Sequence, residues 1–193
     1  MSNILKGKAL WAKVFEPNTR WDAAGVYEIT VHVPETEAQE MCEHLDSLIE
    51  EQRKEEIKAK PKATLSTRKP YAKATDQDGN ETGDIEFKLK EKSQITTRDG
   101  KTFKLKPPLV VDSKRTPMTK DTLIGNGSIV KVAVELKPYC VQSTLGVTMR
   151  LKGVQVLQLV EFSNASAMFN EEEGFITQAI EQGMDFEESH ADF

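Results

Sequence analysis

The sequence predicts an all-β domain, a small antiparallel barrel with one inserted helix, followed by an acidic C-terminal segment. Three observations carry this. About six stretches alternate apolar and polar residues, a single stretch switches to the helical period, and the later strands are separated by turn-type residues rather than helices. A doubly wound sheet needs helices between its strands, so this order favours a barrel.

Residues 4–15 form the first strand, with Lys6, Lys8 and Lys13 set against Leu5, Leu10, Val14 and Phe15, and Glu16-Pro17-Asn18 breaks it. The second, Gly25 to Val33, ends at Pro34. The period then changes. Ala38, Met41, Cys42, Leu45, Leu48 and Ile49 share one helical face, so a helix is expected over 36–59, with Thr36 and Gln39 as a capping box and an acidic outward face. Residues 61–84, rich in Lys, Thr, Pro, Asp and Gly, read as an irregular connection. Ile85, Phe87 and Leu89 alternate with Glu86, Lys88, Lys90 and Lys92 in the next strand. Arg98-Asp99-Gly100-Lys101 reads as a hairpin turn. Its return arm holds Phe103, Leu105 and residues 109–111, interrupted by Pro107-Pro108. After a loop over 112–126 come strands at 128–139 and 146–162. The expected division is a domain of residues 1–162 and a C-terminal segment, 163–193, with a short helix around Phe175, Ile176, Ala179 and Ile180.

Composition removes several classes. No apolar run reaches the roughly 18 residues of a membrane-spanning helix. Met1 to Lys6 lacks a signal-peptide core, so a cytosolic chain is expected, with Cys42 and Cys140 reduced. The net charge of −5 argues, taken whole, against a nucleic-acid partner. It is not evenly spread. Residues 163–193 carry −8 and no base, residues 35–60 carry −5, and the strand-bearing remainder carries +8. Segregation of this kind says more than the total.

The bases stand beside aromatic residues: Trp11 between Lys8 and Lys13, Trp21 after Arg20, Phe87-Lys88, Phe103-Lys104 and Lys137-Pro138-Tyr139. A groove that follows phosphates with cations and stacks bases on rings needs these types interleaved. Phe87 and Phe103 share the apolar phase of their strands and are read as core. For Trp21, in a turn-like stretch, and Tyr139, at a strand end, stacking and packing both stay open.

No motif points to catalysis. Asp76-Gln77-Asp78-Gly79-Asn80 opens like a calcium loop, but Glu81 stands where Gly is needed and Phe87 where Glu is needed. Gly125-Asn126-Gly127-Ser128 lacks the Lys-Ser/Thr pair of a phosphate loop. Cys42 and His44 lie on different helix faces, which disfavours zinc. No nucleophile motif is present. Catalytic residues, metals and cofactors are therefore expected to be none.

Leu109-Val110-Val111-Asp112-Ser113-Lys114, Ile124-Gly125-Asn126-Gly127-Ser128 and Leu136-Lys137-Pro138-Tyr139, in this order, resemble the single-stranded-DNA-binding proteins of short-tailed bacteriophages. So do Gly25-Val26-Tyr27 before a strand ended by Pro34, Phe87-Lys88-Leu89-Lys90, and an acidic tail ending in Asp192-Phe193. The resemblance covers most of residues 7–162. It implies an OB fold, a five-stranded Greek-key barrel with a helix inserted between strands. It implies coating of single-stranded DNA in replication, recombination and repair, in the host cytoplasm. It further implies strand annealing, contacts with the phage DNA polymerase and helicase-primase, and a homodimer held partly through the tail. In the family the tyrosine matching Tyr139 stacks on DNA, and a basic residue matching Lys131 contacts phosphate. The family's arginine before the Gly-Val-Tyr strand is Ala24 here, with Arg20 in the preceding loop. The tail is also shorter and less acidic than the family's.

The DNA-binding set expected from these readings is Lys8, Trp11, Lys13, Arg20, Trp21, Lys88, Lys90, Lys104, Lys131, Tyr139, Arg150 and Lys152. In the tail, Asp185, Phe186, Glu187, Glu188, Asp192 and Phe193 combine carboxylates and rings with no base. They read either as a solubilising tail or as an imitation of DNA that occupies the basic groove and binds replication enzymes when displaced. Two rival readings remain: a protein-interaction adaptor, and a recombination-mediating annealing protein.

Overall fold

The computed structural model describes residues 3–20 and 22–161 of the chain. In chain order the elements are β1 (Ile4–Asn18), β2 (Val26–Pro34), α1 (Glu35–Ala59), β3 (Ser66–Arg68), β4 (Tyr71–Thr75), β5 (Glu81–Lys92), β6 (Gln94–Thr96), β7 (Thr102–Lys104), β8 (Leu109–Val111), β9 (Ile129–Val141) and β10 (Thr144–Gln158).

Five strands close on themselves. β1 pairs with β2, β2 with β5, and β9 with both β1 and β10, all antiparallel. The ring is completed by β10 and β5, which run parallel with Arg150 in register with Lys90. The spatial order is thus first, second, third, fifth, fourth, with a parallel seam between third and fifth. This is the OB barrel.

Alternation fills it. In β2, Tyr27, Ile29, Val31 and Val33 point inward, facing Ile85, Phe87 and Leu89 of β5. Val130, Val132 and Val134 of β9 and Leu145, Leu151 and Val154 of β10 complete the interior. α1 packs against β2, β5, β9 and β10 and buries Ala38, Met41, Leu45 and Ile49. Fully burying a Leu or Ile stabilises the fold by about 1.5–3 kcal/mol. The expected capping box does not form. The helix starts directly after Pro34 with no side-chain cap, and the Gln39 amide donates to Glu43 instead (2.9 Å). Glu35 and Glu37 still oppose the positive end of the helix dipole.

Other parts depart from the sequence reading. The connection over 61–84 contains β3, which runs parallel beside β10, and β4, which pairs with β5. β3 is wholly exposed and β4 buries only Ala74 fully, so neither leaves an apolar signature. Phe103 is not core. β6 and β7 form a ribbon outside the main sheet, with Phe103 52 % exposed opposite Ile95. β8, read as the return arm, instead lies parallel to β10. β9 runs on past residue 139 to Val141 and β10 begins earlier than expected, at Thr144, so the two meet in a two-residue turn; β10 ends at Gln158, short of the expected 162. The turn residues, Gln142 (φ 48°) and Ser143 (φ 63°), are both left-handed, as a type I′ hairpin requires. At 76–80 the Asp76 carboxylate accepts the backbone N–H groups of Asp78 (2.9 Å) and Asn80 (2.8 Å), making a tight turn.

Candidate nucleic-acid interface

The outward residues of β2 and β5 follow from the period of two. Thr30 stands opposite Lys88, and Glu28 opposite Lys90. Continuing across the strands, Lys13 is in register with Glu28, and Lys90 with Arg150, so one row crosses four strands. Lys88 pairs with Glu86 (3.0 Å) and Lys90 with Glu28 (3.2 Å). Burial would raise the Glu86 carboxyl, but hydrogen bonds from Lys88 and His32 outweigh it and hold it below the ordinary range. These exposed pairs are weak, so both ammonium groups can be taken by a phosphate.

Beside this ladder lies an open groove of about 540 Å³. Arg68, Lys69, Tyr71, Lys88, Lys90 and Tyr139 line it, together with the β10 stretch Val147 to Met149. Tyr139 sits on β9 opposite Gly146 of β10, and Arg68 of β3 is opposite the same glycine on its other side. The Tyr139 ring lies over Gly146. Tyr71 is anchored differently. Its hydroxyl donates to Asp46 of α1 (2.9 Å to either oxygen) and accepts from Lys69 (2.8 Å), and its ring packs on Phe87 at 6.1 Å. Burial pushes the Tyr71 phenol pKa up. Hydrogen bonds to Asp46 and Tyr71 hold the Lys69 ammonium protonated well beyond the usual lysine range. Two rings held in place and flanked by cations are what a stacking groove needs.

Sequence reasoning missed Arg68, Lys69 and Tyr71. The signal existed, since Arg68-Lys69-Pro70-Tyr71 interleaves cations and a ring, but it fell in a stretch read as connection.

Among the expected residues, Lys88, Lys90 and Tyr139 line this groove, and Arg150 adjoins it through Lys90. Trp11, Lys13 and Arg20 line a second depression with Lys120, Leu123 and Asn126. Trp11 occupies a bulge in β1, left-handed at φ 52° and 71 % exposed, with its backbone N–H donated to Asn126 Oδ1 (2.8 Å). A bulge of this kind re-aims a side chain. Arg20 donates its backbone N–H to Asn18 Oδ1 (3.0 Å).

Lys8, exposed, stands opposite His32. Lys131 stands directly opposite Lys6 on the β1–β9 seam, and neither lines the groove. Like charges in that position cost stability, and an anion between them would reverse the sign. Lys104 lies on β7. Lys152 is held by Glu91 (3.1 Å) and Glu135 (2.9 Å), and these contacts, the one to Glu135 first, raise its pKa. Trp21 and the tail residues Asp185, Phe186, Glu187, Glu188, Asp192 and Phe193 lie outside the described residues.

Fold and groove together define an OB barrel whose outer face carries two rings among cations. The chain belongs to the family of the Enterobacter phage Enc34 ssDNA-binding protein, whose model matches residues 4–184. It is similar to gp2.5 of bacteriophage T7, a single-stranded DNA binding protein. That crystal structure shares 25 % identity at a TM-score of 0.64, covering 92 % of this chain and 100 % of the other. The Enc34 protein in complex with ssDNA has the same fold, at 14 % identity and a TM-score of 0.54 over 81 % of this chain and 85 % of the other. Another structure of the single-stranded DNA-binding protein from bacteriophage Enc34 gives 13 % and 0.52, over 83 % and 82 %. No curated protein matches the chain.

Proposed function

We propose that this phage protein coats single-stranded DNA without sequence preference, holding bases on Tyr71 and Tyr139 and phosphates on Arg68, Lys88, Lys90 and Arg150. One observation carries the reading: two rings, Tyr71 and Tyr139, line the same open groove as four cations, Arg68, Lys69, Lys88 and Lys90. Stacking contributes about 1–3 kcal/mol per base whatever the base is. Membership of the family and the similarity to gp2.5 support the same ligand. The protein acts by binding, with no catalytic step and no cofactor.

Finer assignments rest on sequence and family resemblance. Trp11, Lys13 and Arg20 extend the contact from the second depression, joined by Trp21, and Lys8, Lys104, Lys131 and Lys152 add charge. Residues 1–162 are the binding domain. The tail beyond it, with Asp185, Phe186, Glu187, Glu188, Asp192 and Phe193, competes for the groove and recruits the phage polymerase and helicase-primase. The setting is replication, recombination and repair in the host cytoplasm, with a homodimer as the assembly.

The test is a titration of single- and double-stranded oligonucleotides across several salt concentrations. Preference for the single strand, with affinity falling as salt rises, is expected. Equal and negligible binding of both forms would favour the protein-interaction adaptor.

A further inference from the structure

The β6–β7 ribbon is the part of the described barrel domain that the groove leaves unexplained. It is rooted by backbone bonds, Ser93 N–H to Gly25 O (3.0 Å) and Leu105 N–H to Ser93 O (2.7 Å), and then projects as a separate two-stranded sheet. Its faces differ. Gln94, Thr96, Thr102 and Lys104 form one, with the Thr96 and Thr102 hydroxyls hydrogen-bonded at 3.1 Å. Ile95 and Phe103 form the other, directly opposite each other and 41 % and 52 % exposed. An isolated ribbon is marginally stable in water, and an apolar cross-strand pair left in solvent does little for its fold.

We propose that this ribbon is a second contact for the same DNA strand, with Phe103 and Ile95 as the platform for an unpaired base and Lys101 and Lys106 for the flanking phosphates. The inference rests on the groove binding single-stranded DNA. Two observations select DNA as the occupant. Residues 92–106 contain five bases and one acid, Asp99. The ribbon is also continuous with the groove: Lys106 and Arg150 line one depression beside Pro107 and Pro108, and Arg150 is in register with Lys90 of the groove itself. A strand leaving Tyr71 and Tyr139 along Lys90 and Arg150 is thereby led to the ribbon.

The test compares full-length variants on oligothymidines of about 5 and about 16 nucleotides, within the range one OB barrel covers. Phe103→Ala should weaken the longer oligonucleotide about five- to tenfold and leave the shorter unchanged, while Phe103→Trp restores it. Lys106→Gln should lower the salt slope by about 0.7 on the longer one alone. Tyr139→Ala should weaken both lengths. Wild-type affinity of Phe103→Ala for both lengths overturns the ribbon contact. If Tyr139→Ala weakens binding in that same experiment, the groove stands without the ribbon. If neither variant loses affinity, the groove reading fails as well. Unchanged far-ultraviolet circular dichroism confirms that each variant is folded.

Discussion

Tyr139 and Gly146 face each other across β9 and β10, and a Cβ on Gly146 would sit 2.5 Å from the phenol oxygen. The glycine is the floor on which the aromatic ring rests, an arrangement that shields a strand glycine and positions the ring. Gly146→Ala should therefore push the ring out, costing about 1–3 kcal/mol and weakening DNA binding. In a Tyr139→Ala background the same change should instead stabilise by about 0.5 kcal/mol, because glycine is unfavourable in a strand. Urea unfolding of the four proteins of this cycle measures the coupling. Additive effects would remove the contact from the account.

Tyr139→Ala and Lys131→Ala should separate the two kinds of contact. Stacking releases no counterions, so Tyr139→Ala should lower affinity while keeping the salt slope of the wild type. Lys131→Ala should reduce the slope by about 0.7 if the lysine neutralises one phosphate of a single strand. Affinities for an oligothymidine at several salt concentrations decide both.

Trp11 is held left-handed, which costs a side chain about 1–2 kcal/mol, and its ring lies largely in solvent. Trp11→Gly should therefore raise stability by about 1 kcal/mol while weakening oligothymidine binding. Thermal unfolding together with a binding titration checks the opposition. Loss of stability in the glycine variant would show that the ring packs rather than binds.

Lys152 is compensated by two carboxylates, of which Glu91 is only 7 % exposed. Lys152→Met leaves Glu91 without its ammonium partner. Because Lys152 itself is partly exposed, the expected cost is about 1 kcal/mol, with a smaller change in salt slope than for Lys131→Met. Urea midpoints and salt titrations of the two variants make the comparison.

Burial, reinforced by Asp46, pushes the Cys42 thiol up to about 11. Its thiolate is scarce near neutral pH, reaches half near that value and saturates above it. Alkylation of Cys42 near neutral pH should be about tenfold slower than for an ordinary thiol or slower still, with a rate that climbs up to about pH 11. Peptide mass spectrometry across pH follows it, and a plateau near 8.5 would contradict the burial.

The long elements were legible because their patterns are strong. Ala38 to Ile49 repeat at helical spacing, and Ile29 to Val33, Phe87 to Leu89 and Val130 to Val134 alternate cleanly. β3 and β4 were not, because Ser66, Thr67 and Arg68 bury nothing and β4 contributes mainly Ala74. Phe103 misled, since a ring in the apolar phase of a ribbon reads the same whether or not another sheet covers it. Half of the groove was missed for the same reason. Arg68 and Tyr71 belong to short exposed strands that only tertiary pairing places beside Tyr139. Charge could be counted from sequence, but strand pairing alone sets Glu28 opposite Lys90 and brings Glu91 and Glu135 within reach of Lys152. Likewise the bulge that aims Trp11 depends on Asn126, 115 positions away.

The central claim is that single-stranded DNA runs through the groove between Tyr71 and Tyr139. Photocrosslinking of an oligonucleotide containing 5-iodouracil, followed by mapping of the modified peptides, tests it most directly. The account predicts crosslinks at Tyr71 and Tyr139 that are lost when unlabelled oligothymidine is added in excess. Competed crosslinks that fall only elsewhere, with both tyrosines unmodified, would contradict it.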